Sequence, residues 1–276
     1  MEETEQKADE LANRCRVGTM GWGYADWSGN FYPAEVASRD YISHYARTFN
    51  AVEIDSTFYA TPRETQVKHW AKVTPETFLF CPKVPRLITH ELRLINAEAD
   101  TRRFFDTMRN LGAKLGPVLF QFPPDFTCTE LDSLFAFLPQ VKKWAGADIR
   151  VSMEFRHRSL IGGDVSQALS AHEIALAGAD YVVMPRRFEI TSDFVYLRLI
   201  GRHGAYPQHR ETQGDRSADL SRWAEVLKEN APQYRQALVF INNDYEGFSP
   251  HTAEKMQALL GIKANVRPSD VQGSLF

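Results

Sequence analysis

Short apolar or β-branched segments recur along the chain at intervals of roughly 20 to 40 residues. This recurrence limits the possible folds more than any other feature. Apolar segments of about 4 to 8 residues, bounded by polar residues, are typical of β-strands. The sequence contains eight of them, at 16–20, 51–56, 78–84, 117–122, 149–155, 173–179, 194–200 and 237–242.

Helical patterns lie between most of these segments. Apolar residues at helical spacing are clearest in 41–49, 104–111, 131–138, 221–227 and 253–260. Strand and helix in alternation predict parallel pairing, and eight such units without a flexible linker predict one closed (β/α)8 barrel of the TIM type. Residues 180–193 show no clear helical pattern. We therefore expect an α/β fold with an irregular or missing helix after the sixth strand.

The barrel is expected to span residues 16–263, with a short segment on each side. Residues 1–15 are acidic and poor in large apolar side chains, which indicates a flexible or weakly helical extension. Residues 264–276 form a polar C-terminal tail. The chain is 43% hydrophobic and 24% charged, so it can bury a large core and is not globally disordered.

Composition also excludes several classes of protein. No apolar run approaches the roughly 18 residues that cross a bilayer, and the N-terminus is acidic, so we expect neither membrane insertion nor export. Cys15, Cys81 and Cys128 are far apart and odd in number, which argues against a disulfide framework and fits a cytoplasmic protein. A net charge of −3 means that any contact with nucleic acid must be a local patch.

Polar side chains alternate with apolar ones in several predicted strands. In the fifth strand, Ser152 and Glu154 alternate with Val151 and Met153, so one face of the strand is polar. In a barrel this face points into the lumen, where apolar residues are usual and polar ones near the strand ends indicate binding or catalysis. The same alternation places these polar residues on the lumen side: Glu53, Asp55, Lys83, Gln121, Arg198 and Asn242.

The chemistry of these side chains predicts their roles. Glu53 and Glu154 are candidates for general acid and base catalysis, and Lys83 is a third catalytic candidate. Arg156 and Arg198, together with Lys83, suit a phosphate group. The alternative is a network of ion pairs among these five residues that serves only to hold the barrel closed.

Aromatic, amide and imidazole side chains complete the predicted ligand site. Trp22 and Tyr24 follow the first strand and Tyr59 follows the second, where they could stack on a base or a sugar ring or form a packed lid. The remaining ligand-binding candidates follow later strands: Gln121, His157, Asn242 and Asn243.

The predicted loops after the third, fifth, sixth and seventh strands carry a local excess of positive charge. They hold 11 basic against 7 acidic residues within a chain that is negative overall, counted over 83–93, 154–164, 184–193 and 198–216. If these loops share one face of a barrel, that face suits a phosphate or carboxylate, with a solvated rim as the alternative.

The sequence gives little support for a metal or a cofactor. The histidines lack paired ligand spacing, so we expect no cofactor. A divalent metal held by Glu53, Glu154, His157 and Asp180 is the alternative.

Several motifs in strand order resemble the YecE-like family of bacterial and archaeal proteins. They are Gly18 to Tyr24 with Phe31 to Pro33, Val52 to Tyr59, Leu119 to Pro124, Glu154 to His157, and Phe240 to Asn243. The resemblance runs from about residue 16 to 263. It implies a TIM barrel and brings no established reaction.

The chain ends in a motif that the barrel does not explain. Gln272, Leu275 and Phe276 are arranged as in the peptides that bind the bacterial sliding clamp, which they resemble. Two apolar anchors on a free tail suit docking into a groove, although they could equally fold back on the barrel. A sliding clamp is therefore a predicted partner.

These features support three functional hypotheses. The first is a barrel that binds a phosphate-bearing ligand, with damaged or single-stranded DNA as one candidate, and in which Lys83 or Arg198 can be changed to Ala with little effect on the melting temperature. The second is a hydrolase or isomerase for a small sugar or sugar phosphate. The third is a non-catalytic adaptor that its tail carries to the clamp.

Overall fold

Parallel strands and helices alternate through residues 10–262, the part of the chain that the computed structural model describes. The strands are β1 (Cys15–Thr19), β2 (Ala51–Ile54), β3 (Leu79–Pro82), β4 (Val118–Gln121), β5 (Val151–Glu154), β6 (Ala175–Leu176), β7 (Gly178–Tyr181), β8 (Phe194–Gly201) and β9 (Gln236–Ile241). The α-helices are α1 (Tyr41–Tyr45), α2 (Glu64–Val73), α3 (Glu98–Met108), α4 (Leu131–Ala145), α5 (Gly163–Ala171), α6 (Ser217–Asn230) and α7 (Ser249–Leu259).

The strands close into a ring in chain order. Parallel ladders join β2 to β3 and β4 to β5, and another runs from β7 through β8 and β9 to β1. Single bridges continue the ring between β1 and β2, at Met20 and Glu53, and between β3 and β4, at Lys83 and Leu119. The first strand thus pairs with the last, and the predicted (β/α)8 barrel of the TIM type is confirmed.

The sixth strand of the barrel is interrupted. β6 pairs with β5 and β7 pairs with β8, while the backbone N–H of Ala177, between them, donates to the carbonyl of Met153 at 2.9 Å. The two short segments together occupy one position in the ring. Residues 182–193, which follow, are irregular and contain no helix, so the predicted missing helix is also confirmed.

Two apolar layers hold the barrel together, and alternation along the strands separates them. One layer fills the lumen with side chains such as Leu119, Tyr196 and Phe240. The other and larger layer lies between strands and helices and includes Val52 and Phe120. Apolar side chains therefore fill the interior of the barrel and leave the polar strand ends free to form a site.

A close approach between β1 and β2 depends on one glycine. A Cβ atom on Gly18 would lie 1.9 Å from the backbone oxygen of Ala51, which no side chain can accommodate. The first two strands can reach their observed spacing only because this position has no side chain.

Parts of the predicted terminal segments lie outside the described residues. Residues 10–14, within the predicted extension, are helical, and Leu11 is buried. The predicted clamp-binding residues Gln272, Leu275 and Phe276 fall outside the described part. Among the helices of residues 10–262, none has the length and hydropathy needed to cross a bilayer.

Candidate functional site

A cleft of about 780 Å³ opens at the carboxyl ends of the strands. Because parallel strands all end on the same side of a barrel, residues from every position in the ring reach this cleft. Its volume lies in the range of small-molecule sites, roughly 300 to 1,000 Å³. Eight of the predicted site residues line it: Trp22, Tyr24, Tyr59, Lys83, Gln121, Arg156, Arg198 and Asn242.

Arg198 on β8 joins two buried carboxylates at the floor of the cleft. Its Nε and Nη2 donate to the two carboxylate oxygens of Glu53 at 2.9 and 2.7 Å, and its Nη1 donates to Glu154. The hydroxyl of Tyr196 also donates to Glu53, at 2.8 Å. A buried arginine needs such partners because desolvation of an unpaired charge is costly. The ion pairs predicted for Arg198 therefore exist and lie beneath the cleft, whereas Lys83 is paired with Asp55 and with neither glutamate.

The two carboxylates of this network differ in acidity. Burial raises the pKa of Glu53 to about 7 against the attraction of Arg198, and Asp55 nearby adds to the rise. Burial also opposes ionisation of Glu154, but Arg198 and Arg156 together lower its pKa to about 2. Glu154 is therefore a fixed negative charge at neutral pH, whereas Glu53 exchanges its proton in that range.

Arg156 presents free donors to the cleft. Its Nε donates to Glu154 at 2.7 Å, and its guanidinium lies 5.0 Å from the centre of the Tyr181 ring. Its two terminal nitrogens have no hydrogen-bond partner within residues 10–262. A planar donor edge held in this way suits a phosphate or a carboxylate.

Lys83, directly after β3, and Asp55, directly after β2, lie side by side in the cleft. Lys83 is only 8% exposed, and its Nζ lies 3.9 Å from Oδ1 of Asp55 and 4.0 Å from the centre of the Phe58 ring. Oδ1 of Asp55 is buried, and no described residue forms a hydrogen bond with it. Burial lowers the pKa of Lys83 against the attraction of Asp55, and Arg198 lowers it further.

Aromatic side chains form the walls. The ring of Trp22 packs edge-on against Trp70, with 5.3 Å between ring centres, and the hydroxyl of Tyr24 donates to the carbonyl of Met20 at 2.6 Å. Tyr59, by contrast, is 84% exposed at the rim. Two of the predicted stacking residues are therefore fixed by the fold, whereas the third is exposed at the rim and contacts the Phe58 ring, with 5.5 Å between ring centres.

The predicted amide and imidazole ligands divide into two groups. Gln121 and Asn242 line the cleft. His157 accepts a hydrogen bond from the backbone N–H of Ser159 at 3.2 Å and caps the short turn after β5. Asn243 accepts from Trp27 and from the backbone N–H of Ser249. The structure does not bring His157 and Asn243 to the cleft.

Several lining residues were absent from the predicted set. Asp55 has a signal in the sequence, since it lies two residues after Glu53 and therefore on the same face of the strand. His90 follows Thr89 in one of the motifs that resemble the YecE-like family, but no local pattern places it in the cleft, because it lies in a π-helical turn. Tyr181 has no signal, because it comes from the interrupted strand. The pKa of His90 is lowered to about 4 by its burial and by Lys83, so its ring is neutral at pH 7.

The divalent metal site considered as an alternative, with Glu53, Glu154, His157 and Asp180 as ligands, can be compared with the positions of these side chains in the structure. Within the described part of the chain, no three His, Cys, Asp or Glu side chains are grouped so as to hold a metal ion. Asp180 instead accepts from the indole of Trp223 at 2.9 Å and from the hydroxyl of Tyr245 at 3.0 Å. These contacts tie the end of β7 to neighbouring elements.

Comparison with known proteins finds a matching family model and curated relatives of similar sequence. A family model described as "Protein of unknown function DUF72" matches residues 16–273. The UPF0759 protein YunF of Bacillus subtilis (strain 168) is 35% identical over 149 residues, 52% of this chain and 51% of YunF. The UPF0759 protein YecE of Escherichia coli (strain K12) is 31% identical over 130 residues, 47% of this chain and 46% of YecE. The chain thus spans about half the length of the curated relatives it matches, and the resemblance drawn from the motifs is confirmed.

Solved structures agree with the barrel. A DUF72 family protein of Thermotoga maritima superposes with a TM-score of 0.77 and 25% sequence identity, covering 90% of this chain and 99% of that one. A DUF72 family protein of Enterococcus faecalis superposes with a TM-score of 0.73 and 22% identity, covering 90% and 96%. The latter is a likeness of fold alone.

Proposed function

This chain belongs to the DUF72 family, and we propose that its barrel binds a small phosphate-bearing molecule, such as a sugar phosphate, in the cleft at the strand ends. The observation that carries the proposal is the free donor edge of Arg156 beside the amine of Lys83. Both face a cleft of ligand size. Two cations with free donors in a partly dry site attract a dianion strongly.

Arg198 has a different role in this proposal from the one that the sequence suggests. Its donors are bound to Glu53 and Glu154, so it has little capacity left for a phosphate. It positions the carboxylates and adds to the positive potential at the floor. Arg156 is then the main phosphate contact.

The other groups in the cleft favour a sugar as the carrier of the phosphate. Oδ1 of Asp55 lies 3.9 Å from Lys83 and 3.8 Å from Arg198 but forms no hydrogen bond with described residues, so it can accept one from a hydroxyl group. Trp22 and Tyr59 offer aromatic faces against which the apolar face of a sugar ring packs well. A DNA strand, in contrast, needs a basic groove that follows several nucleotides, whereas the two free cations here lie within a single cleft.

Thermal shift measurements test the proposal directly. We expect ribose 5-phosphate and glucose 6-phosphate to raise the melting temperature, and unphosphorylated glucose to raise it much less. A ligand at about one hundred times its Kd stabilises a protein by about 2.7 kcal/mol, which corresponds to several degrees in a chain of this size. Equal shifts with glucose and glucose 6-phosphate would contradict a phosphate site.

Variants at two nearby arginines locate the site. Arg156→Gln should abolish the shift with sugar phosphates, whereas Arg158→Gln, which removes an exposed arginine two positions further on, should leave it intact. The DNA hypothesis is an outcome of the same set of experiments. If a labelled single-stranded oligonucleotide binds at physiological salt while no sugar phosphate does, the ligand is DNA and the proposal is wrong.

A further inference from the structure

Lys83 is unusual among the described lysines of this chain. Its amine is buried against the Phe58 ring, forms no hydrogen bond with any residue in 10–262, and has one carboxylate, Asp55, at 3.9 Å. Lys114, by comparison, donates to backbone carbonyls, and Lys255 lies 3.3 Å from the buried carboxylate of Glu246. A buried amine that forms no hydrogen bond with described residues and lines a ligand-sized cleft is available for chemistry.

The surroundings of Lys83 make its ammonium easier to deprotonate than that of an exposed lysine. The charged groups that act on it come from several strands: Asp55 and Glu53 from β2 and its end, Arg198 from β8, and Arg156 from the end of β5. Burial and the two arginines disfavour the ammonium form, and they outweigh the two carboxylates, so the pKa of Lys83 is lowered. Desolvated lysines next to other cations are the ones that attack carbonyl groups.

We propose that Lys83 forms a Schiff base with the carbonyl carbon of its ligand, so that the substrate class is a phosphorylated aldose or ketose in its open-chain form. This inference rests on the proposed phosphate-binding function and adds the chemical step to it. Arg156 would hold the phosphate, and the carbonyl would lie at Nζ of Lys83 near Asp55.

The step balances with groups that are present in the cleft. Asp55 accepts a proton from the ammonium of Lys83, and the free amine attacks the carbonyl carbon. A proton then passes from the attacking nitrogen to the former carbonyl oxygen, which gives a neutral carbinolamine. Asp55 then returns its proton to the carbinolamine hydroxyl, which leaves as water while the carbon–nitrogen double bond forms. Asp55 is suited to this relay because its Oδ1 is 3.9 Å from Nζ and has no other hydrogen-bond partner in the described part.

Reductive trapping tests the proposal. The full chain is incubated at neutral pH with glyceraldehyde 3-phosphate and cyanoborohydride, which delivers hydride to the imine carbon and leaves a stable secondary amine. Peptide mapping by mass spectrometry then locates the adduct. We expect it on Lys83, formed at least about tenfold faster than on Lys72, an exposed lysine that does not line the cleft. Adducts spread over exposed lysines, with Lys83 unmodified, would overturn the proposal.

Lys83→Arg provides the matched variant, since it keeps the positive charge but cannot form a Schiff base. It should lose the main adduct, while the adducts on exposed lysines remain and show that the trapping reaction still proceeds. Should Lys83→Arg fail to fold, protection of wild-type Lys83 by glycerol 3-phosphate gives the same information. Lys83 trapped equally with and without glycerol 3-phosphate would contradict a shared site.

The two proposals fail in distinguishable ways. A thermal shift with glycerol 3-phosphate and no Lys83 adduct leaves the phosphate site standing and removes the Schiff base. The opposite result is an adduct of unphosphorylated glyceraldehyde on Lys83 without any binding of glycerol 3-phosphate. This result would support the reactive Lys83 and contradict the proposed phosphate-binding function.

Discussion

At the scale of single residues, the two cations Lys83 and Arg198 contribute very differently to stability. Arg198 forms three hydrogen bonds to two buried carboxylates, whereas the side-chain amine of Lys83 forms none with described residues. From sequence alone, Ala at either position is expected to leave the melting temperature nearly unchanged. The structure changes that expectation for Arg198, because a buried carboxylate that loses its partner is strongly destabilising.

Replacing these two residues by methionine should therefore separate them. Arg198→Met should lower the free energy of unfolding by about 3 to 5 kcal/mol, because Glu53 and Glu154 both lose a partner. Lys83→Met should cost little or be slightly stabilising, because it removes a buried amine without a hydrogen bond. Urea denaturation of both variants measures the difference. Equal losses would show that Arg198 does not hold the carboxylates as described.

The raised pKa of Glu53 predicts a dependence of stability on pH. Its pKa rises from an ordinary value near 4.5 to about 7 on folding, so the folded state binds more protons between these values. Its contribution to stability is complete below the ordinary value and is lost as the pH rises through about 7. Glu154, whose pKa is lowered to about 2, stabilises the folded state at pH values above its ordinary pKa. This stabilisation is lost only when the pH falls towards 2.

Glu53→Gln isolates this effect, since it cannot ionise. In denaturation experiments at about pH 5 and about pH 8, the wild type should lose stability relative to Glu53→Gln at the higher pH. A constant difference between the two proteins across this range would mean that Glu53 is ionised throughout.

At the scale of elements, the sequence predicts those parts whose spacing repeats. Polar and apolar residues alternate along β2, β5 and β8, and this alternation places Glu53, Glu154 and Arg198 on the same side of their strands, where the structure has them. The interruption between β6 and β7 leaves no comparable trace. It depends on how Ala177 meets Met153 on the neighbouring strand, which is a tertiary contact.

The spacing of β1 and β2 provides a test at this scale. Gly18→Ala should destabilise the barrel by about 3 kcal/mol, the upper end of the usual cost of overpacking, because its Cβ would collide with the backbone of β2. Gly163→Ala is the control: a Cβ there meets no atom within 4 Å at the start of α5, so the change should be neutral or stabilising. Chemical denaturation compares the two. A well-tolerated Gly18→Ala would show that the strands can move apart.

At the scale of the whole molecule, the eight strand–helix units of the sequence are enough to predict a closed barrel. Because the strands are parallel, they all end on one side, and this side holds the site. The aromatic residues were predicted because they follow strands, and Lys83 because the alternation along the third predicted strand places it on the lumen side. Trp70 and His90 were not, because they reach the cleft from a helix and a π-helical turn whose positions depend on packing. Conversely, Asn243 follows β9 yet turns away to accept a hydrogen bond from Trp27.

Because the cleft is assembled from every position in the ring, its ligand should protect segments that are far apart in sequence. We expect glycerol 3-phosphate to slow amide hydrogen exchange in 20–24, 55–59 and 154–157 together, since each of these segments contributes residues to the cleft or its floor. Residues 94–98, on the outer side of the barrel next to α4, should be unaffected and serve as the control. Protection confined to one segment would mean that the ligand binds a single loop. Protection of all three would show that the strand ends act as one site.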